Sequence, residues 1–252
     1  MNSPIHSLLA FNHRLSRRQD RWARRIWGRR DGNTVWLEDL LPSLLAPKLR
    51  VLDVGGGKHP AISIETKERL GLDVTGLDIS ADELDRAPKG AYDRVLVGDV
   101  SQMSLDGEYD LILSTAVLEH VKDVGQTMCV LSRALAPNGR MGHFVPCGRS
   151  LFARLNRALD DDVSRSLLFG LFPGARKGQG FPAYYDRCWP GEFRKLADDN
   201  GLRIEDVTPF FQSGYLSFFA PAHAVEVGLQ VLQMNLPDPE DRCESFVFVA
   251  RR

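Results

Sequence analysis

The chain has 252 residues, 43% of them hydrophobic, enough to bury a core of enzyme size, and its formal net charge of −1 excludes the uniformly basic surface of a general nucleic-acid binder. Cys129, Cys147, Cys188 and Cys243 form no C-x-x-C pair, so neither a zinc site nor a disulfide framework is expected and no metal is assigned. Residues 1–10 lack the pattern of a secretory signal, and no apolar run is long enough to span a bilayer, so a cytoplasmic protein is expected.

Charge is unevenly placed along the chain. Residues 1–50 hold ten Lys/Arg against four Asp/Glu, and the remainder 22 against 29. Leu8, Phe11, Leu15, Trp22 and Ile26 recur near the helical period, with eight arginines from Arg14 to Arg30 on other faces. The plain expectation is a helix lying against the main body with its arginines solvated; guiding an anionic acceptor or a peripheral contact with a membrane is the other use of such a charge run. A second apolar stretch, 35–45 around Pro42, leads into the first strand.

From Arg50 onward short β-branched runs alternate with helical stretches, the signature of βαβ units and a parallel sheet. The pattern predicts strands at 50–54, 73–78, 93–98, 109–114 and 139–145, with helices at 60–70, 81–87 and 123–136. Pro137-Asn138-Gly139 is expected to stop the last helix. Residues 148–189 break this rhythm with Gly170, Pro173, Gly174, Gly178, Gly180 and Pro182, as an inserted cap would. A helix at 190–200, a strand at 203–210, a helix at 219–234 and a strand at 245–250 complete the chain.

The strongest chemical signal is the run from Val51 to Pro60. An apolar strand feeds into Gly55, Gly56 and Gly57, and Pro60 stands where a helix can begin. Without Cβ atoms such a turn lets a ligand approach the backbone, at the strand end where open α/β sheets bind ligands. A phosphate-binding loop does not fit, because His59 follows Lys58 and the glycine spacing is wrong; the dinucleotide fingerprint finds Pro60 where its third glycine belongs. Asp78 ends the second strand 21 residues after Gly57, close to the spacing of an acid that accepts from ribose hydroxyls. Asp99 ends the third.

The D-x-G-x-G of Asp53 to Gly57, together with these acids, resembles the class I S-adenosylmethionine methyltransferases, and the fourth element, Tyr109 to Val121, resembles their small-molecule, type 11-like branch. The likeness covers residues 48–146 well and 190–252 in outline. It implies an α/β, Rossmann-like, seven-stranded and mainly parallel sheet with helices on both faces, the last two strands forming an antiparallel end. The parts expected are a helical N-terminal extension (1–47), a cofactor-binding core (48–147), an inserted cap or lid (148–189) and the C-terminal part of the sheet (190–252). It also implies S-adenosyl-L-methionine as cofactor: Asp53, Gly55, Gly56 and Gly57 at its amino-acid end, Asp78 at the ribose and Asp99 at the adenine amino group, with Ile79, Val100, Ser114 and Thr115 as further cofactor contacts.

The reaction implied is methylation of a small-molecule or sugar hydroxyl. Ser114 to Val117 lacks the [DN]-P-P-[FY] of enzymes that methylate amino groups on nucleic acids, which disfavours a nucleic-acid partner. A non-catalytic cofactor-binding sensor and a modifier of RNA or protein are the alternatives. His120 is the candidate base, with a structural role as the competing reading. Glu119, Tyr184, Tyr185 and Arg187 are the candidate acceptor contacts. His143, within the fifth strand, points either to the site or into the core.

Overall fold

The computed structural model describes residues 4–105, 109–151, 153–154 and 181–252. Seven strands form one sheet in the order β3-β2-β1-β4-β5-β7-β6. They are β1 Arg50–Val54, β2 Asp73–Asp78, β3 Arg94–Val97, β4 Tyr109–Thr115, β5 Leu135–Pro146, β6 Arg203–Phe210 and β7 Ser245–Arg251. Pairs β1–β2, β1–β4, β2–β3 and β4–β5 are parallel, whereas β7 is antiparallel to both β5 and β6. The reversed strand is therefore β7 alone, inserted between β5 and β6. The last two strands, β6 and β7, thus form the expected antiparallel end, with β6 running in the direction of the parallel five.

Alternation along each strand sends side chains into two cores. On one face Leu52, Val54, Ile112, Met141, Val145, Phe246 and Phe248 pack under two helices, α6 Val124–Ala134 and α7 Pro190–Asp199. Phe193 of α7 meets Phe246 and Phe248 edge-on, with ring centroids 5.0 and 5.4 Å away. On the other face Val51, Val74, Leu111, Leu113, Val247 and Val249 are covered by α2 Gly32–Val35, a π-helical segment Trp36–Leu40 and α3 Leu41–Leu44. The apolar run around Pro42 is thus a lid on the sheet. Trp36 is fully buried there, and burying an aromatic of this size contributes on the order of 3 kcal/mol.

Two short helices flank the glycine turn, α4 Ile64–Leu70 and α5 Ala81–Asp85, each capped by a serine, Ser63 and Ser80. The helix expected from residue 60 starts at Ile64, because Ser63 supplies the cap. α6 ends at Ala134, and Leu135 already pairs with Tyr109 before the register shifts to Leu111↔Arg140. Pro137-Asn138-Gly139 therefore forms a bulge inside β5, not the boundary between helix and strand.

The N-terminal helix α1, Pro4–Trp27, lies beside α8, Ala220–Met234, and turns inward the polar face that borders its apolar stripe. Ser16 and Ala23 are buried, whereas Leu8, Phe11, Trp22 and Ile26 are more than half exposed. Of the expected cap, residues 155–180, and with them Gly170 to Gly180, lie outside the described residues. Its last part, 181–189, returns over the loop after β4. No described helix is long and apolar enough to cross a membrane.

Candidate active site

The parallel strands end on one edge, where the glycine turn, Asp78, Asp99 and the loop after β4 meet. Gly55 and Gly57 take left-handed φ values of 69° and 46°, which side chains resist. A Cβ on Gly55 would stand 2.5 Å from Val117, and one on Gly57 would stand 2.9 Å from Asp78 Oδ2. The turn is thus threaded between the ends of β2 and β4, and each glycine admits a neighbour that shapes the crevice.

Asp53 is 1% exposed and lies beneath the turn. Its Oδ2 accepts from the Ala61 N–H at 2.9 Å and from the Tyr92 hydroxyl at 3.4 Å, while Oδ1 has no partner. Burial pushes its carboxyl up to about 6 against those two hydrogen bonds. Asp53 therefore braces the turn from below. Tyr92, which the motif reading missed, also donates to Gly57 O at 3.2 Å. Its ring occupies the place of a side chain at Gly76, where a Cβ would lie 2.8 Å from it. A glycine inside the apolar strand β2 was the available signal, since such a residue marks close approach of a neighbouring group.

Asp78 is buried at the end of β2, with Oδ1 accepting from Ser80 N–H at 2.9 Å and Oδ2 turned toward Gly57. Burial raises its carboxyl above the ordinary range. Ile79 beside it is 58% exposed, an apolar surface at the crevice rim. Asp99 caps the turn Val100–Gln102, its Oδ1 accepting from Ser101 N–H at 2.9 Å and Ser101 Oγ at 2.7 Å. The Val100 side chain is buried in the core.

Two expected contacts are corrected. Ser114 is fully buried and bonds His143 Nδ1 at 2.8 Å, and Thr115 accepts from Trp36 Nε1 at 2.8 Å. Successive residues of β4 face opposite sides of the sheet, so the Ser114 hydroxyl is held in one core and the Thr115 hydroxyl is turned to Trp36 on the other side. His143 accordingly belongs to the core, stacked on Phe248, with burial driving its imidazole down to about 3. After them Ala116 adopts φ 54°, a strained value for alanine that turns the chain across the crevice.

This turn presents Glu119 and His120. His120 Nδ1 lies 3.0 Å from Pro182 O, and a carbonyl only accepts, so Nδ1 carries the proton and Nε2 the lone pair. Nε2 lies 3.7 Å from Glu119 Oε1. Glu119 is 4% exposed, Oε2 has no partner, and burial raises its carboxyl to about 8. Since the unfolded group titrates near 4.5, folding takes up a proton between the two values, and stability drains as pH rises from about 4.5 to about 8. Glu119→Gln removes that loss. Relative to the parent, its melting temperature should climb across this window and level off above it; a constant offset at all pH values would contradict the buried, protonated carboxyl.

Segment 181–189 is fastened to the same loop. The N–H groups of Tyr184 and Tyr185 donate to Glu119 O at 2.8 and 2.9 Å, and Asp186 Oδ2 accepts from Val124 N–H at 2.9 Å. Tyr185 is a core residue, whereas Tyr184 is exposed beneath Lys122, 5.6 Å from its ring centroid. Arg187 is exposed and lies against Gly125 at the start of α6. Of the four expected acceptor contacts, Glu119 and Tyr184 are adjacent to His120 through this loop, while Tyr185 packs inward and Arg187 turns to the helix.

A buried polar cluster lies at the same sheet edge beyond β5, with no motif to announce it. Arg29 donates to Phe211 O at 3.3 Å and to Gln230 Oε1, leaving NH1 without a partner. Glu244, immediately before β7, is buried with Oε2 unpartnered, and burial with the nearby Glu226 raises it to about 7. Burial first, and then the charges of Tyr185, Glu244, Glu119 and Glu226, raise the Tyr215 phenol above its ordinary range. His223 bonds Glu226 at 2.8 Å and Asp20 at 3.1 Å; burial opposes its charge, but those two carboxylates hold it up to about 9.

The profile of the methyltransferase domain family matches residues 11–207. A ubiquinone biosynthesis O-methyltransferase of Erwinia tasmaniensis is 30% identical over 193 residues, 72% of this chain and 73% of that protein. A malonyl-[acyl-carrier protein] O-methyltransferase of Priestia megaterium is 25% identical over 148 residues, and the match spans about half of its length, 53%. A tRNA 5-carboxymethoxyuridine methyltransferase of Escherichia coli is 35% identical over 136 residues, 48% of this chain and 51% of its own. Among solved structures, an S-adenosylmethionine dependent methyltransferase from Mesorhizobium loti superposes with a TM-score of 0.56 at 20% identity, covering 84% of this chain and 96% of that one; this likeness carries the fold.

Proposed function

The chain belongs to the methyltransferase domain family and is an S-adenosylmethionine-dependent methyltransferase, and from that premise we propose that its acceptor is a hydroxyl oxygen of a small molecule or sugar. The observation that carries the reading is His120. Its tautomer is fixed by Pro182 O, so a basic Nε2 is left at the end of β4, where an acceptor would meet the cofactor. The O-methyltransferases among the relatives support the same choice of atom.

The residues present fit the cofactor. A backbone turn that tolerates no side chains, a carboxylate at the end of β2 and an exposed apolar neighbour offer surfaces for its amino-acid end, ribose and adenine. Asp78 would accept from the ribose hydroxyls, Ile79 would flank the adenine, and Asp99 would receive its amino group. Asp53 would act through the turn it braces. Bound S-adenosylmethionine supplies a methyl group on a positively charged sulfur, open to in-line displacement. The chain's own work is alignment, exclusion of water and proton removal. His120 would take the hydroxyl proton on Nε2, and Glu119, neutral below about pH 8, would leave that imidazole uncompensated until the carboxyl ionises. Tyr184 and the residues 181–189 would cover the acceptor.

The test is release of S-adenosylhomocysteine with a panel of phenols, quinols, sugars and aliphatic carboxylates. Turnover is expected with a hydroxyl acceptor. Turnover confined to carboxylates or to RNA would overturn the choice of atom.

A further inference from the structure

Helix α1 is fastened to the protein by its polar side. Asn12 Oδ1 accepts from Ala220 N–H at 3.0 Å, Ser16 Oγ donates to Ser217 O at 2.9 Å, Gln19 Nε2 donates to Ala220 O at 3.2 Å, and Asp20 meets His223. At about 100° per residue, Leu8, Phe11, Leu15, Trp22 and Ile26 fall within an arc of roughly 60° that borders the fastened side. Leu8, Phe11, Trp22 and Ile26 are 61, 51, 57 and 52% exposed. Arg14, Arg17, Arg18, Arg21, Arg24 and Arg25 occupy the arc next to this stripe, and the helix's one acid, Asp20, is bound to His223. Two surface grooves run between stripe and arginines, one beside Phe11 and Leu15, the other beside Trp22. On the neighbouring helix α8, Val225, Leu229 and Leu232 are exposed at i, i+4 and i+7.

With four of its five residues more than half exposed beside an arc of arginines, the stripe leaves an apolar surface open to something outside the chain. Charge decides among occupants. A second copy laid on the same stripe would bring six arginines against six, and RNA would satisfy the arginines but leave Leu8 and Ile26 in water. An anionic bilayer accommodates both, aliphatic and indole groups entering the boundary of headgroups and acyl chains while guanidinium groups stay with the phosphates. The length agrees: from Leu8 to Ile26 the stripe runs about 27 Å along the helix axis, enough to lie flat on a surface.

We infer that α1 docks this enzyme onto the surface of an anionic phospholipid bilayer, its Leu8–Phe11–Trp22–Ile26 stripe inserted at the interface and its arginines on lipid phosphates. The inference is independent of which atom is methylated, since it rests on the exposed surface of α1 and on no residue of the crevice.

Flotation of the full chain with vesicles tests it. Vesicles of about three parts phosphatidylcholine to one part phosphatidylglycerol should carry the protein upward, and phosphatidylcholine alone should not, with binding weakened by added salt. Phe11→Ser with Trp22→Ser, at exposed positions that leave the Asn12, Ser16, Gln19 and Asp20 contacts intact, should reduce binding roughly tenfold or more. Arg17→Glu with Arg21→Glu should do the same through charge. Circular dichroism on each variant verifies that the helix persists. Absence of flotation by the parent protein, or unaltered flotation of both variants, overturns the inference. Retention by single-stranded RNA without vesicle binding reassigns the arginines to RNA, and a dimer lost in Phe11→Ser/Trp22→Ser without vesicle binding reassigns the stripe to a second copy.

Discussion

His120→Ala is expected to lower kcat by a factor of about 10² to 10⁴ while leaving the affinity for S-adenosylmethionine unchanged, the loss characteristic of a removed general base. The expectation follows from tautomer geometry. Because Nδ1–H is committed to Pro182 O, the ring cannot turn its proton-bearing nitrogen toward the acceptor without breaking that bond. The same contact holds residues 181–189 over the loop, so a purely structural histidine is the competing account, and kinetics separate the two. If His120 removes a proton, His120→Gln loses kcat while KM for the acceptor and the melting temperature stay near the parent's. If it only ties the segment down, kcat survives and KM for the acceptor rises in step with lost stability. Glu119 sharpens the test: Glu119→Gln should abolish any further gain in rate as pH passes about 8, where the buried carboxyl would otherwise ionise 3.7 Å from Nε2.

Much of this architecture is legible in the residues because local chemistry and global fold agree. β1, β2 and β6 occur at the positions their β-branched runs predict, bounded by glycine or polar breakers. The acids at strand ends are equally readable, since the spacing from Gly57 to Asp78 follows from one βαβ unit. What periodicity does not contain is direction. The stripe on α1 is visible in sequence, but whether it faces protein or solvent is decided by Asn12, Ser16, Gln19 and Asp20 finding partners some 200 residues away. Ser114 and Thr115 fail for a related reason: they end the right strand, yet the pleat sends one hydroxyl to His143 and the other to Trp36. Tyr92, Arg29 and Glu244 carry no motif, and only the packing of distant elements brings them to the sheet edge.

Asp78→Ala is expected to weaken S-adenosylmethionine binding by on the order of 100-fold, read by calorimetry. Hydrogen bonds to an ionised acceptor contribute about 1.5–3 kcal/mol each, and about 1.4 kcal/mol corresponds to tenfold, so losing a carboxylate that accepts from a vicinal diol reaches that scale. Two features of the site test the attribution. S-adenosylhomocysteine has the same ribose, so both ligands should lose affinity by the same factor; a loss confined to the methylated form would locate Asp78 near the sulfur instead. The carboxylate also accepts from Ser80 N–H and lies against Gly57, so part of any loss in the alanine variant reflects a loosened turn. Asp78→Asn, which keeps the shape and one acceptor oxygen, should recover the turn but not the full affinity. Because burial raises the Asp78 carboxyl, parental affinity should begin to fall on acidification at a higher pH than an ordinary aspartate would give. In the alanine variant that acid-side dependence should vanish, and affinity unchanged by the substitution would remove Asp78 from the pocket.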